Sequence, residues 1–422
     1  MDCMTERDQR GNARVMLLTT VRSYRLEAFR AAAARAGVAM SIGIDLPKEL
    51  AEQWPDALPL NFADVDESAH RIFKFAAEHP LAAILSVDDS GSLVAAAASA
   101  VLGLPHNNPF AAEAARDKSL MRRLLRDGDV GVPWFHQFST ADDPGFVASQ
   151  VPYPCVVKPV NLNGSRGVIR ADNPSELVTA IARVSKLLNE GQNGPRPYLV
   201  ESYLPGVEVA LEGMLDNGEL IVLALFDKPD PLVGPYFEET IYVTPSRLAL
   251  DVQEQIGATT AAAARALGLV AGPVHAELRV NDAGVWIIEI AGRSIGGLCS
   301  QVLRFGVDAS LEELIIRQAA GISLDSTLRS GKAAGVMMIP IPERGLLRGV
   351  EGVEEAQAVP LIESIEITAR LNYPIIPLPE GDSYLGFIFA RGETPEEVEE
   401  ALRESHRRLR FQIDPLLPVL MI

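Results

Sequence analysis

Short apolar runs alternate with helical spacings from the start of the chain. Val15–Thr19 is a continuous apolar run of the kind that predicts a buried strand. Arg25–Ala36 is Ala- and Arg-rich and predicts a helix, with Gly37 where a left-handed C-terminal cap belongs. Val38–Ile44 and Leu81–Val87 repeat the strand signal, and Ser90–Leu102 reads as a helix closed by Gly103 and Pro105. Strands alternating with helices predict a small α/β domain with a parallel sheet. The first strand runs into Thr19-Thr20-Val21-Arg22-Ser23-Tyr24, so a GxGxxG dinucleotide fingerprint is missing where it would be diagnostic.

The pattern then changes. After a connector at Pro105–Pro109, Ala111–Asp127 predicts one helix, ended by Gly128, Gly131 and Pro133. Two strands flank a Gly-containing loop between Pro152 and Arg170. Asn173–Asn189 predicts a helix with Pro174 in its first turn, and Gly191–Pro197 a flexible turn. Tyr198–Tyr203, Val207–Leu215, Leu220–Asp227, Val274–Val280 and Val285–Ile290 read as strands, and Val252–Leu267 and Ser310–Ala320 as helices. The last part of the chain predicts a separate α+β unit. Its strands are Ala333–Pro342, Ile362–Ala369 and Tyr384–Ala390. Its helix opens on the capping box Thr394-Pro395-Glu396-Glu397 and continues through Val398, Leu402, Ser405 and Leu409.

Composition narrows the function. The 422 residues are 48% hydrophobic, which is globular composition. A net charge of −18 repels phosphate backbones and disfavours nucleic acid as the main partner. The longest weakly polar stretch, Leu93–Leu104, is too short to span a membrane, and Met1–Arg14 lacks the apolar run of a signal peptide. Cys3, Cys155 and Cys299 form no CxxC pair and are expected to be packing residues in a reducing compartment. These features together predict a soluble cytoplasmic protein.

The chemistry begins at Lys158, at the end of the apolar run Tyr153–Val157. A lysine there either finds an anion or snorkels to water. Asn161-Leu162-Asn163-Gly164-Ser165-Arg166-Gly167 follows, a small-residue loop whose backbone N–H groups can turn toward an anion. It is either a flap over phosphates or an ordinary hairpin turn. Glu201 ends a strand and Glu208 opens the next after Pro205-Gly206. Such a pair offers backbone groups to a flat heterocycle and a carboxylate to vicinal hydroxyls, unless both glutamates merely face solvent.

The strongest signal is Glu277 with Glu289. Residues 275, 277 and 279 share one strand face, and Glu289 lies in a run that is apolar on both faces. Asn281-Asp282-Ala283-Gly284 suits a three-residue hairpin loop closed by residues 281 and 285, which sets Glu277 opposite Glu289 with Cβ atoms about 5 Å apart. Two carboxylates so placed hold a divalent cation such as Mg²⁺, share a proton, or pair with an arginine. Arg293, in Gly292-Arg293-Ser294-Ile295-Gly296-Gly297, emerges beside them. Its fork can grip a transferring phosphoryl group or a carboxylate, or it can neutralise the pair.

In order, Arg116-Asp117-Lys118, Val157-Lys158-Pro159, the 161–167 loop, Glu201…Gly206-Val207-Glu208, Glu277, and Glu289…Gly292-Arg293 resemble the ATP-grasp superfamily of carboxylate–amine ligases, over roughly Ala112–Ile322. The resemblance implies an α/β domain over 1–110 and an ATP-grasp fold of two α+β subdomains over 111–200 and 201–328. A small C-terminal α+β domain over 329–422 completes it. It implies that Lys118, Lys158, Gly164 and Ser165 meet ATP phosphates. Glu201, Tyr203 and Leu204 would lie at adenine, Glu208 at ribose, and Glu277 and Glu289 on Mg²⁺, with Mn²⁺ as a substitute. Many members carry Asn two residues after the second metal glutamate, where this chain has Ala291.

Glu-Ile-Ala-Gly-Arg-Ser-Ile-Gly-Gly, Asp227-Lys228-Pro229-Asp230-Pro231 and Gly234–Thr240 look like the L-amino-acid (dipeptide) ligase subgroup. The implied reaction joins a small-molecule carboxylate to an amine through an acyl-phosphate, releasing ADP and phosphate. Lys158 and Arg293 would be catalytic groups, and family habit suggests a homodimer. His275 is a candidate catalytic residue or a packed histidine. Glu238 and Glu239 are candidates for the substrate amine or a solvated loop, and Asp88 and Asp89 for substrate contact or a helix cap. A phosphotransferase and a non-catalytic ATP-binding protein are the competing readings.

Overall fold

The structure, a computed structural model, describes residues 13–416 apart from residue 22 and residues 191–193. Cys3, most of Met1–Arg14 and the start of the Gly191–Pro197 turn lie outside the described residues.

The N-terminal domain is built from β1 (Arg14–Thr20), α1 (Leu26–Ala36), β2 (Ala39–Asp45), β3 (Ala57–Leu60), α2 (Val65–Glu78), β4 (Ala83–Ser86) and α3 (Ser92–Leu102). Its sheet is parallel, in the order β3-β2-β1-β4. β1 is buried on both sides: Val15 and Leu17 pack with Phe29 of α1, Met16 and Leu18 with Ile72 of α2 and Val94 of α3. That two-sided burial is why β1 reads as an unbroken apolar run. Gly37 and Gly103 close their helices in the left-handed conformation, as expected.

Next come α4 (Pro109–Ala114), α5 (Lys118–Asp127), β5 (Phe135–Ser139), α6 (Pro144–Gln150), β6 (Cys155–Pro159), β7 (Ile169–Ala171), α7 (Pro174–Asn189) and β8 (Pro197–Ser202). The single helix expected over 111–127 is broken. The Asp117 side chain accepts from the Leu120 N–H and starts α5 afresh, so Lys118 stands in its first turn and donates its N–H to Val160. The antiparallel sheet β5-β8-β6-β7 lies under α6 and α7.

The third part contains β9 (Val207–Asp216), β10 (Glu219–Asp227), β11 (Ile241–Thr244), α8 (Leu250–Leu267), β12 (Gly272–Asn281), β13 (Gly284–Ala291) and α9 (Leu311–Ala319). The chain ends with β14 (Ala333–Ile339), β15 (Gly345–Glu351), α10 (Val353–Gln357), β16 (Ile362–Ile367), β17 (Pro374–Ile375), β18 (Gly386–Gly392), α11 (Pro395–Arg408) and β19 (Arg410–Pro415). The Thr394–Glu397 capping box is formed. Position 200/201 falls inside β8. The small C-terminal α+β domain shares a sheet with the part before it: β11 pairs with β14 and one sheet runs β13-β12-β9-β10-β11-β14-β18-β16. β11 carries the ladder across residue 328; its four residues are all buried and were too short to register as a strand by pattern.

Candidate active site

β12 is the axis of the site. Val274, Ala276 and Leu278 point into the apolar core under α8, so His275, Glu277 and Arg279 point the other way. On that face the antiparallel register with β9 sets His275 opposite Glu212 and Arg279 opposite Glu208. Both pairs bond: His275 Nδ1 to Glu212 Oε1 at 2.6 Å, and Arg279 Nε to Glu208 Oε2 at 2.8 Å.

Glu277 lies opposite Glu289 in register. The route differs from the expected one. The hairpin loop has two residues, closed by Asn281 and Gly284, and a bulge at Ile288 on β13 restores the offset. The two departures cancel at residues 277 and 289. The carboxylates then find different neighbours. Glu289 takes Lys118 Nζ at 3.2 Å, and Glu277 takes His275 Nε2 at 3.6 Å and Lys228 Nζ at 3.7 Å. Lys228, at the end of β10, also bonds Glu208 at 2.8 Å and Glu239.

Lys158 is buried at the end of β6, 2.6 Å from Glu201 Oε2. Arg122 reaches the same carboxylate from α5, at 2.6 Å through Nε, and donates to the Ile288 carbonyl. Glu201 is thereby committed to two cations, and only its backbone neighbourhood is free for a heterocycle. Tyr203 and Leu204 follow it, with the Leu204 carbonyl accepting from Arg279. Burial pulls the Lys158 amine down, with Arg122 and Lys118 adding to the effect against Glu201, to about 8.

The 161–167 loop stands beside Lys118, whose Nζ bonds the Leu162 carbonyl at 2.8 Å. Gly164 and Ser165 both have positive φ, turning consecutive N–H groups the same way. Arg293 emerges after β13, and its Nε bonds Asp89 Oδ2 at 2.8 Å; Asn163 of the loop donates to the same oxygen at 3.0 Å. Asp88 caps the turn after β4 by accepting from the Ser90 N–H, while Asp89 is held by Arg293 and Asn163. Glu238 accepts from the Ile341 backbone, and burial raises its carboxyl above the usual range.

Sequence reasoning missed Arg122, Glu212, Asp89 as Arg293's partner, and the role of Lys228. Arg122 was reachable: it stands one helical turn after Lys118, on the same face. Glu212 pairs with His275 only through the β9–β12 register, which no local pattern reveals.

The donor set suits Mg²⁺: Glu277 and Glu289 offer hard carboxylate oxygens from paired strands. The lysines around them suit a polyphosphate. Glu208, Glu239 and Glu277 bring carboxylate oxygens within 4.8 Å of one another, around Lys228.

Residues 151–302 match the model of the ATP-grasp domain, and residues 337–414 that of the L-amino acid ligase C-terminal domain 2. The uncharacterized protein y4rH of Sinorhizobium fredii is 24% identical over 74% of this chain and 64% of its own length; the chain thus spans under two thirds of that relative. An alanine–anticapsin ligase of Bacillus subtilis is 27% identical over 89% of this chain and 88% of its own. Among solved structures, the L-amino acid ligase from Bacillus licheniformis superposes with a TM-score of 0.82 at 24% identity, covering 96% of this chain and 99% of that one. Phosphoribosylglycinamide synthetase from Anaerococcus prevotii gives 0.66 at 17% identity, over 96% and 100%. At these identities the structures establish the fold.

Proposed function

We propose that the chain, which matches the ATP-grasp domain and the L-amino acid ligase C-terminal domain 2, is an ATP-dependent carboxylate–amine ligase that joins the carboxylate of one amino acid to the amine of a second. The observation that supports this reading is the facing pair Glu277 and Glu289, with Lys118 on Glu289, Arg293 within electrostatic reach of Glu289 and Lys158 within reach of Lys118. A carboxylate does not condense with an amine at a useful rate, because hydroxide leaves poorly. A substrate carboxylate oxygen therefore attacks the γ-phosphorus of ATP and the bond to ADP breaks. The amine nitrogen next attacks the acyl carbon, the C–O bond to phosphate breaks, and the nitrogen loses a proton.

Glu277 and Glu289 would hold Mg²⁺, which would screen phosphate charge, and the same oxygen donors would suit Mn²⁺. Lys118 and Lys158 bind the phosphates, with Gly164 and Ser165 folded over them. Glu208 and the backbone at Tyr203 and Leu204 take the nucleoside. Arg293 offsets charge on the transferring group, and Asp89 aims it. His275, fixed by Glu212, orients Glu277. We place the reaction in the cytoplasm, where ATP is supplied, and propose a homodimer. Among the described residues no helix is long and apolar enough to cross a membrane.

A phosphate-release screen with ATP, Mg²⁺ and pairs of amino acids tests the reading. Phosphate and ADP should appear only when both an acid and an amine are present. Stable phosphorylated product without an amine requirement would mean a phosphotransferase, and tight nucleotide binding with no ADP a non-catalytic protein.

Two further outcomes follow from the geometry. Arg293→Lys should lower turnover by about 10²-fold with the fold intact, because a point charge cannot both keep the Asp89 bond and grip a planar group; unchanged turnover removes Arg293 from the chemistry. The Lys158 amine is lowered from 10.5 to about 8 in the free enzyme, and a bound triphosphate favours its charged form. Affinity for a non-hydrolysable ATP analogue should therefore fall as pH rises above about 8, by up to about tenfold per unit. Lys158→Arg, which cannot lose its proton, should flatten that slope, and an unchanged slope in the variant contradicts the assignment.

A further inference from the structure

Arg25 stands immediately before α1 and carries its charge where a helix disfavours one. A cation at a helix N-terminus opposes the macrodipole, and this side chain makes no capping bond. It turns away from the helix and is 5% exposed. Nη1 donates to the Ile295 carbonyl at 2.8 Å, and Nη2 to Ser294 Oγ at 3.0 Å and to Glu312 Oε1 at 3.1 Å. Glu312, in the first turn of α9, is buried as deeply and also accepts from Ser300 Oγ at 2.6 Å. Burial alone would raise its carboxyl, yet Arg25 and Ser300 hold it below the ordinary glutamate value.

A buried ion pair is a poor device for merely joining two elements, because apolar side chains of similar volume commonly serve as well or better. α1 and α9 already pack together, with Phe29 and Leu314 in one apolar cluster. What the guanidinium does that an apolar group cannot is grip the chain at residues 294 and 295, directly after Arg293. That loop carries Gly292, Gly296 and Gly297, so its backbone has wide freedom unless something holds it. Asp89 holds the Arg293 side chain at 2.8 Å. Both holds come from the N-terminal domain. Asp89 fixes the fork, and Arg25 fixes the backbone that carries it.

We propose that Arg25 is a positioning residue for Arg293: with Ser294 and Glu312 it locks the loop, so that the N-terminal domain sets where the Arg293 guanidinium meets the transferring phosphoryl group. That role rests on the ligase reading of Arg293. Arg25 itself acts through the loop, not on substrate.

The test is a mutant cycle on the full-length enzyme. Phosphate release is followed at saturating ATP and Mg²⁺ with a pair of amino acids that the unaltered enzyme couples. Arg25→Met combined with Glu312→Met removes both charges and strands neither, so the denaturation midpoint should stay near that of the unaltered protein. The kcat should fall by about 10–10²-fold, since a misplacement of about 1 Å at a reacting group is enough for that, while KM for ATP stays unchanged. In an Arg293→Lys background the same two exchanges should add little, because the group they position is already replaced. Ser294→Ala removes one hold on the loop and no buried charge, and it should show the same behaviour with a smaller fall in kcat. Native kcat in the folded double variant, or in Ser294→Ala where the double variant does not fold, overturns the proposal. So does a loss as large in the Arg293→Lys background as in the unaltered one, which is what a purely structural role gives. If no amino-acid pair gives amine-dependent phosphate release in the unaltered protein, the ligase reading fails and takes this role with it; normal release with unmoved variants removes the role alone.

Discussion

Lys158→Met should lower amine-dependent ADP formation by about 10²–10³-fold while the protein stays folded. The lysine is buried among Glu201, Arg122 and Lys118. Removing its charge takes away a donor aimed at the phosphates, but it leaves Glu201 paired with Arg122 at 2.6 Å. No carboxylate is stranded, and methionine fills the same space without needing a proton. The expected signature is a large loss of turnover with an unchanged denaturation midpoint. A variant that keeps full activity removes Lys158 from the site; one that unfolds shows the residue to be structural.

Glu201→Ala should do the opposite. The carboxylate is the shared partner of Arg122 and Lys158, and all three side chains are nearly excluded from water. Truncating it leaves two buried cations facing each other, which should cost about 3–5 kcal/mol. Burial alone would raise the Glu201 carboxyl, yet Arg122 and Lys158 together lower it below 4.5. Its stabilising contribution is therefore present above the unfolded value near 4.5 and lost as pH falls below it. Denaturant midpoints at neutral pH and near pH 3 measure both effects. The variant should be much weaker than the native protein at neutral pH, and the gap should close in acid. Equal midpoints at neutral pH would show that the triad contributes nothing.

These two residues also show how far the sequence could be read. Lys158 was visible because a charge inside an apolar strand is costly and so conspicuous. Glu201 was visible as a strand-ending acid, but its carboxylate was expected near a nucleoside. The cation that claims it, Arg122, comes from a helix almost eighty residues earlier. Residues 277 and 289 were set opposite each other by hairpin arithmetic. The loop is one residue shorter than that arithmetic assumed, and the bulge at Ile288 compensates.

Local pattern carried the strands and caps well. It could not show that β11, four residues long, joins the C-terminal residues to the central sheet. Nor could it show that His275 meets Glu212, or that Asp89 of the first domain holds Arg293. Those contacts depend on register and on domain packing, which leave no trace in neighbouring residues.

The most direct test of the ligase mechanism follows an oxygen atom. An amino acid labelled with ¹⁸O in its carboxylate, found through the phosphate-release screen, is turned over with ATP, Mg²⁺ and its amine partner, and the released phosphate is analysed by mass spectrometry. If the acid is activated by phosphorylation, the phosphate carries one labelled oxygen from the substrate. Phosphate without label, released alongside peptide product, would mean that the carboxylate never attacked the nucleotide.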